Sequence, residues 1–183
     1  MSYQETKSKN FSIYCRDGKS TLVKKWITDP NVDVNWNYGK PLINAVSGTK
    51  EHGSKNIEII RLILAHPKLK TNYESRHEIK GSSIPVSSTN LEGDGLEGYI
   101  SCVLNPITQA MILKNFEVLD IFSKEYPEKF NFNRTEYLDV LAQANDKELT
   151  NYFMKIRGFL DIFYSCDEAY KVLMPKGFEF FMF

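Results

Sequence analysis

Between Asn56 and Ala65 the chain carries Ile57, Ile59, Ile60, Leu62, Ile63 and Leu64, interrupted only by the charges of Glu58 and Arg61. A helix apolar on all sides but one is covered by neighbours on both flanks. That is what a middle unit in a stack of repeated elements requires. Glu58 and Arg61 stand three apart on the polar stripe, where pairing within the helix is expected to add a few tenths of a kcal/mol.

The same register returns along the chain. Asn115–Phe122 (NFEVLDIF) repeats Asn56–Ile63 (NIEIIRLI), and Pro106–Ala110 (PITQA) repeats Pro41–Ala45 (PLINA). Proline at the start of a helix is harmless, because its missing N–H would be unpaired there anyway. Tyr137–Leu141 and Asp146–Phe153 form a weaker copy. Lys19–Trp26 is a more polar one, as suits a terminal unit with one wet face. Three of the copies leave the second helix through a proline and an alternating, extended connector: Ile27–Asn35, Leu64–Asn72 and Glu125–Asn133. Pro30 and Pro67 are separated by close to a known repeat length. Pro127 lies farther on, and the excess is an insertion.

Gly39–Ala45 (GKPLINA) and Glu58–Leu64 (EIIRLIL) resemble the ankyrin-repeat pattern, a G-x-T-P-L-H-x-A helix start followed by E-I-V-x-L-L-L. Lys40 and Ile43 stand where that family has Thr and His, and Gly39 sits one place closer to the proline. Val46–Lys55 reads as a long loop between the paired helices. The resemblance implies an all-α, ankyrin-like repeat stack of about four helix pairs with extended arms. The expected organisation is an N-terminal tail over 1–10, the array over 11–156 with an insertion at 73–104, and a C-terminal segment over 157–183. In that last segment Phe159, Ile162, Phe163, Cys166, Tyr170 and Leu173 recur at helical spacing and predict a capping helix. The apolar tail Phe178–Phe183 is expected to fold back over the open end of the array. The insertion, rich in Gly, Ser and acidic residues, reads as an elongated arm or mobile loop.

Charge narrows the function. Lys+Arg 23 against Asp+Glu 23 leaves no net charge, and nonspecific nucleic-acid binding relies on a basic excess. No apolar run approaches a membrane span, and the first residues show no secretory signal. A cytoplasmic protein is expected, or one delivered to a host cytoplasm. Cys15, Cys102 and Cys166 are dispersed and match neither a disulfide framework nor a zinc site.

Candidate chemistry is sparse. Gly18-Lys19-Ser20 lacks the upstream glycine of a phosphate loop, since position 13 is Ile, and Gly18 reads instead as the turn between paired helices. Asn90–Gly95 opens like a calcium loop, but the twelfth position is Ser101 where a bidentate Glu is needed. His52, His66 and His77 have no metal-ligand spacing. No catalytic residue, metal or cofactor is expected.

The expected function is protein–protein interaction by a monomer. The family resemblance implies recognition through the arms, with Trp36, Asn37 and Tyr38 on the first, Tyr73, Glu74, Arg76 and His77 on the second, and Phe132 with Arg134 on the third, and the long 73–104 insertion is expected to take part as well. Aromatic residues and arginine are enriched in binding hot spots. Packing of Trp36 and Tyr38 between neighbouring arms is the alternative account of those rings. Similarity to small arrays of microbial and viral proteins that act on host cells suggests an effector. The competing function is an enzyme on a helical scaffold, with the 73–104 insertion as a lid gathering His77, Glu92, Asp94 or a cysteine.

Overall fold

The computed structural model describes residues 2–71, 84–86, 98–100, 104–132, 134, 136–144 and 146–156. Among them the fold is all-α apart from one short ribbon, and the helices come in four consecutive pairs. The first pair is α1 (Tyr3–Arg16) and α2 (Ser20–Trp26), and the second is α3 (Trp36–His52) and α4 (Ser54–Leu64). The third is α5 (Pro106–Ile112) and α6 (Phe116–Asp120), which runs on as a π-helical turn over Ile121–Glu125. The fourth is α7 (Glu136–Ala144) and α8 (Lys147–Phe153). Within the insertion, β1 (Ile84–Val86) and β2 (Gly98–Ile100) pair antiparallel, with Ile84 opposite Ile100. The predicted capping helix and aromatic tail lie outside the described residues.

The chain divides into two compact units, one built from the first three pairs and one from the ribbon with the fourth pair. In the first, the fully buried core runs through Phe11, Cys15, Val23, Leu42, Ile59 and Ile60. In the second, Phe132, Tyr137 and Phe153 form a ring cluster with centroids 6.1 to 6.4 Å apart.

The helix starts follow from short polar side chains. Ser2 Oγ accepts from the Glu5 N–H at 3.1 Å, and the Glu5 carboxylate accepts from the Ser2 N–H at 3.2 Å. This reciprocal cap satisfies two end donors, so the expected tail over 1–10 is instead the first turns of α1, with Ser8 already buried. Asn105 caps α5 reciprocally with Thr108, Pro106 opens α5, and the side chains of Asn115 and Asp146 each accept one end N–H, from Val118 of α6 and Leu149 of α8. The polar α2 buries only Val23, in keeping with a terminal element.

The expected loop over Val46–Lys55 is a correction. α3 continues to His52, and a single left-handed residue, Gly53 at φ 49°, turns the chain into α4. Contact with α1 holds the extra helical turn. Val46, Gly48 and Thr49 are all buried, and a Cβ on Gly48 would lie 2.0 Å from the Arg16 carbonyl oxygen. Glycine is therefore the residue that allows α1 and α3 to cross this closely.

Asn56 ties the first two pairs together. Its Nδ2 donates to the carbonyls of Cys15 at 2.7 Å and Ala45 at 2.9 Å, with Arg16 at 3.3 Å. One fully buried amide thus serves the ends of α1 and the body of α3 from the first turn of α4. Asn115, its counterpart in the third pair, donates to Thr49 Oγ1 of α3 at 2.8 Å.

Candidate functional site

The connectors between pairs are joined edge to edge. In the first, Val32 and Val34 are buried while Asn31 and Asp33 face solvent, and in place of the expected extended segment the chain makes two turns, with the Val32 N–H donating to the Asp29 carbonyl at 3.0 Å and the Trp36 N–H to the Asp33 carbonyl at 3.1 Å. Asp29 and Asp33 fold it locally, accepting from the N–H groups of Asn31 and Asn35 at 2.8 Å each. The Asp33 N–H donates to Ser8 Oγ of α1 at 2.9 Å, and Lys7 Nζ reaches Asp29 at 2.5 Å. Hydrogen bonding to Lys7 holds the Asp29 carboxyl below its usual range and raises the Lys7 ammonium.

Asn35 closes this connector onto the next. Its Nδ2 donates to the Lys68 carbonyl at 2.8 Å, and its Oδ1 accepts from the Lys70 N–H at 2.7 Å. Beyond it, the Thr71 hydroxyl donates to the Lys129 carbonyl of the third connector. His66 Nδ1 accepts from the Lys68 N–H at 3.3 Å. Burial, and then the nearby Lys68 charge, keeps His66 below the usual histidine pKa and so favours its neutral form.

Immediately after Asn35 the backbone enters an uncommon conformation. Asn37, Tyr38 and Gly39 all have positive φ, at 48°, 58° and 77°, and the Gly39 N–H donates to the Asn35 carbonyl. Gly39 adopts this freely and Asn37 with little penalty, whereas for a bulky residue such as Tyr38 it is an outlier. Held strain of this kind concentrates at binding and switch regions. Tyr38 is 47% exposed, Asn37 is exposed, and Trp36 is half-buried.

The other expected contact residues fare differently. Phe132 is buried against Tyr137 and Phe153 and belongs to the core of the second unit, which corrects its expected place at an arm tip. Arg134 is half-buried and bound to Glu136 at 2.7 Å. Tyr73, Glu74, Arg76 and His77 lie outside the described residues, as do Glu92, Asp94, Cys102 and Cys166. Sequence reasoning missed Asn35, Lys68 and Lys70. Each of the three connectors ends in asparagine (Asn35, Asn72, Asn133), and that recurrence was the available signal.

A concavity lies along the second helices of the first unit. It is a cleft of about 550 Å³ whose lining includes Ile57, Leu62, Glu117 and Tyr126. The expected Glu58–Arg61 pair is not made. Glu58 binds Lys24 of α2 at 2.5 Å, and Arg61 binds Glu125 through two bonds of 2.7 and 3.1 Å. The charges of α4 thus reach sideways to both neighbours. Geometry explains this, since each lies closer to an opposite charge on an adjacent helix than to the other.

Among the described residues no group of His, Cys, Asp or Glu is arranged to hold a metal. No described helix is long and apolar enough to cross a membrane. The thiol of Cys15 is fully buried, and that burial pushes its pKa far up, so it is an inert core group. No family model, curated protein or solved structure matches the chain.

Proposed function

We propose that this chain is a protein-interaction module, an ankyrin-like array that recognises a partner protein through the connectors between its helix pairs. The observation that carries the reading is Tyr38, a large ring 47% exposed on a run of three left-handed residues. A turn that merely linked α2 to α3 would have no need of a tyrosine there. Strain of about 1–2 kcal/mol at a bulky residue is retained where the presented side chain has a use. Neighbouring connectors lock the base of the turn through Asn35, so Tyr38 is presented from a fixed scaffold, which lowers the ordering cost of binding. A role as an effector acting on host proteins fits this reading.

The test is affinity capture with wild-type protein and a Trp36→Ala/Tyr38→Ala variant, alongside thermal melts of both. The expected outcome is loss of the captured partner at unchanged Tm. If capture survives the double substitution, the connector reading is wrong. If capture and Tm fall together, the rings serve packing.

A further inference from the structure

We propose that His66 is an acid-sensitive clasp on the connectors: its neutral ring holds the second connector in the form that Asn35 grips, and protonation of the ring releases it. His66 stands where α4 ends and the second connector begins. Its carbonyl accepts from the Leu69 N–H at 3.1 Å and its Nδ1 accepts from the Lys68 N–H at 3.3 Å, so backbone and ring close one turn together. The ring also makes a hydrogen bond to the backbone of Ile27, the residue that ends α2. A neutral imidazole has one N–H and one bare nitrogen. With Nδ1 accepting, the proton is on Nε2, and the ring serves both neighbours only in that tautomer.

Asn35 holds the same turn from the other side. Its side chain donates to the Lys68 carbonyl and accepts from the Lys70 N–H, directly before the Trp36–Gly39 turn. Lys68 is thus bonded through its N–H to His66 and through its carbonyl to Asn35. A proton on Nδ1 sets one N–H against another, and the Lys68 amide loses its acceptor. Charged groups on the adjoining elements are largely engaged: Lys24 of α2 with Glu58, Asp29 of the first connector with Lys7, and Arg61 of α4 with Glu125. Asp33 keeps its charge while accepting from the Asn35 N–H, and Lys25 and Lys70 are positive. The charge that acts on the ring is that of Lys68, which adds to burial in opposing protonation. The folded value thus lies below the unfolded one of about 6.5. The clasp's stabilisation is complete above that pH and is lost as the pH falls through the lower folded value.

The experiment is an NMR titration of the full chain from about pH 8 downward through the histidine range. Ring nitrogen shifts give the tautomer and midpoint of each histidine, and His66→Gln separates His66 from His52 and His77. Expected are an Nε2–H ring at neutral pH and a His66 midpoint below about 6.5. The Lys68 and Lys70 amide signals should move with that midpoint in wild type and stay fixed in the variant. Exchange of the Lys70 amide, corrected for its intrinsic rate at each pH, should lose about fivefold in protection across the midpoint, as for one hydrogen bond. An Nδ1–H tautomer would overturn the proposal. So would Lys68 and Lys70 amides that stay put while the ring titrates, or that still move in the variant, since another group would then be the source. Tautomer and coincident midpoints are read on the wild-type chain, so a poorly folded variant leaves the decision intact. None of these measurements needs a partner, and their outcome is independent of the interaction role proposed above.

Discussion

At Tyr38 the side chain and the backbone have opposing interests. The ring is presented by a left-handed backbone that a β-carbon disfavours by about 1–2 kcal/mol. Tyr38→Gly should therefore raise stability by about 1 kcal/mol, the relief being partly offset by glycine's greater freedom when unfolded. Chemical denaturation measures this, and the capture assay should show partner binding lost in the same variant. A destabilised glycine variant would mean that the ring contributes packing that outweighs the strain. Asn37 shares the conformation, but asparagine enters it readily, so its replacement would gain less. The sequence marked Trp36, Asn37 and Tyr38 as an arm tip, and nothing in it disclosed three successive positive φ angles. Only the glycine at position 39 hints at such a turn.

The connectors gain their order as elements from hydrogen bonds that run between pairs. Asn35 supplies one donor and one acceptor to the second connector, and Thr71 supplies a donor to the third. Asn35→Ala should cost about 1–2 kcal/mol for two partly exposed bonds. By amide hydrogen exchange, Lys70 should exchange faster while amides inside α3 keep their protection. Uniform acceleration through α3 would show instead that the connector and helix open as one piece. The helices themselves were largely legible in the sequence. The apolar run over Ile57–Leu64 and the matching NFEVLDIF segment place α4 and α6 correctly, because burial on both flanks imposes that pattern. The start of α1 was missed although Ser2 and Glu5 spell a capping box. The extent of α3 was missed because Gly48 and Thr49 look like a loop unless the close crossing with α1 is known. A glycine demanded by a neighbour 32 positions away leaves no local trace.

Across the whole molecule, the sequence pattern reached further than the chemistry of the surface. The second and third helix pairs could be read from the recurring proline and apolar pattern, whereas the first helix of the first pair could not. The sideways ion pairs Lys24–Glu58 and Arg61–Glu125 could not, because they depend on which helices become neighbours. The buried amide of Asn56 has a consequence in time as well as space. It lies 41 positions after Cys15, whose carbonyl it satisfies. A nascent chain that has made only the first pair has nothing to offer those carbonyls except water, which docking of α3 excludes. The first pair is thus not a folding unit that can be completed and set aside during synthesis. It waits for α4. A fragment ending at Gly53 should accordingly show no cooperative melt by circular dichroism, and a sharp transition in that fragment would show that the early helices settle unaided.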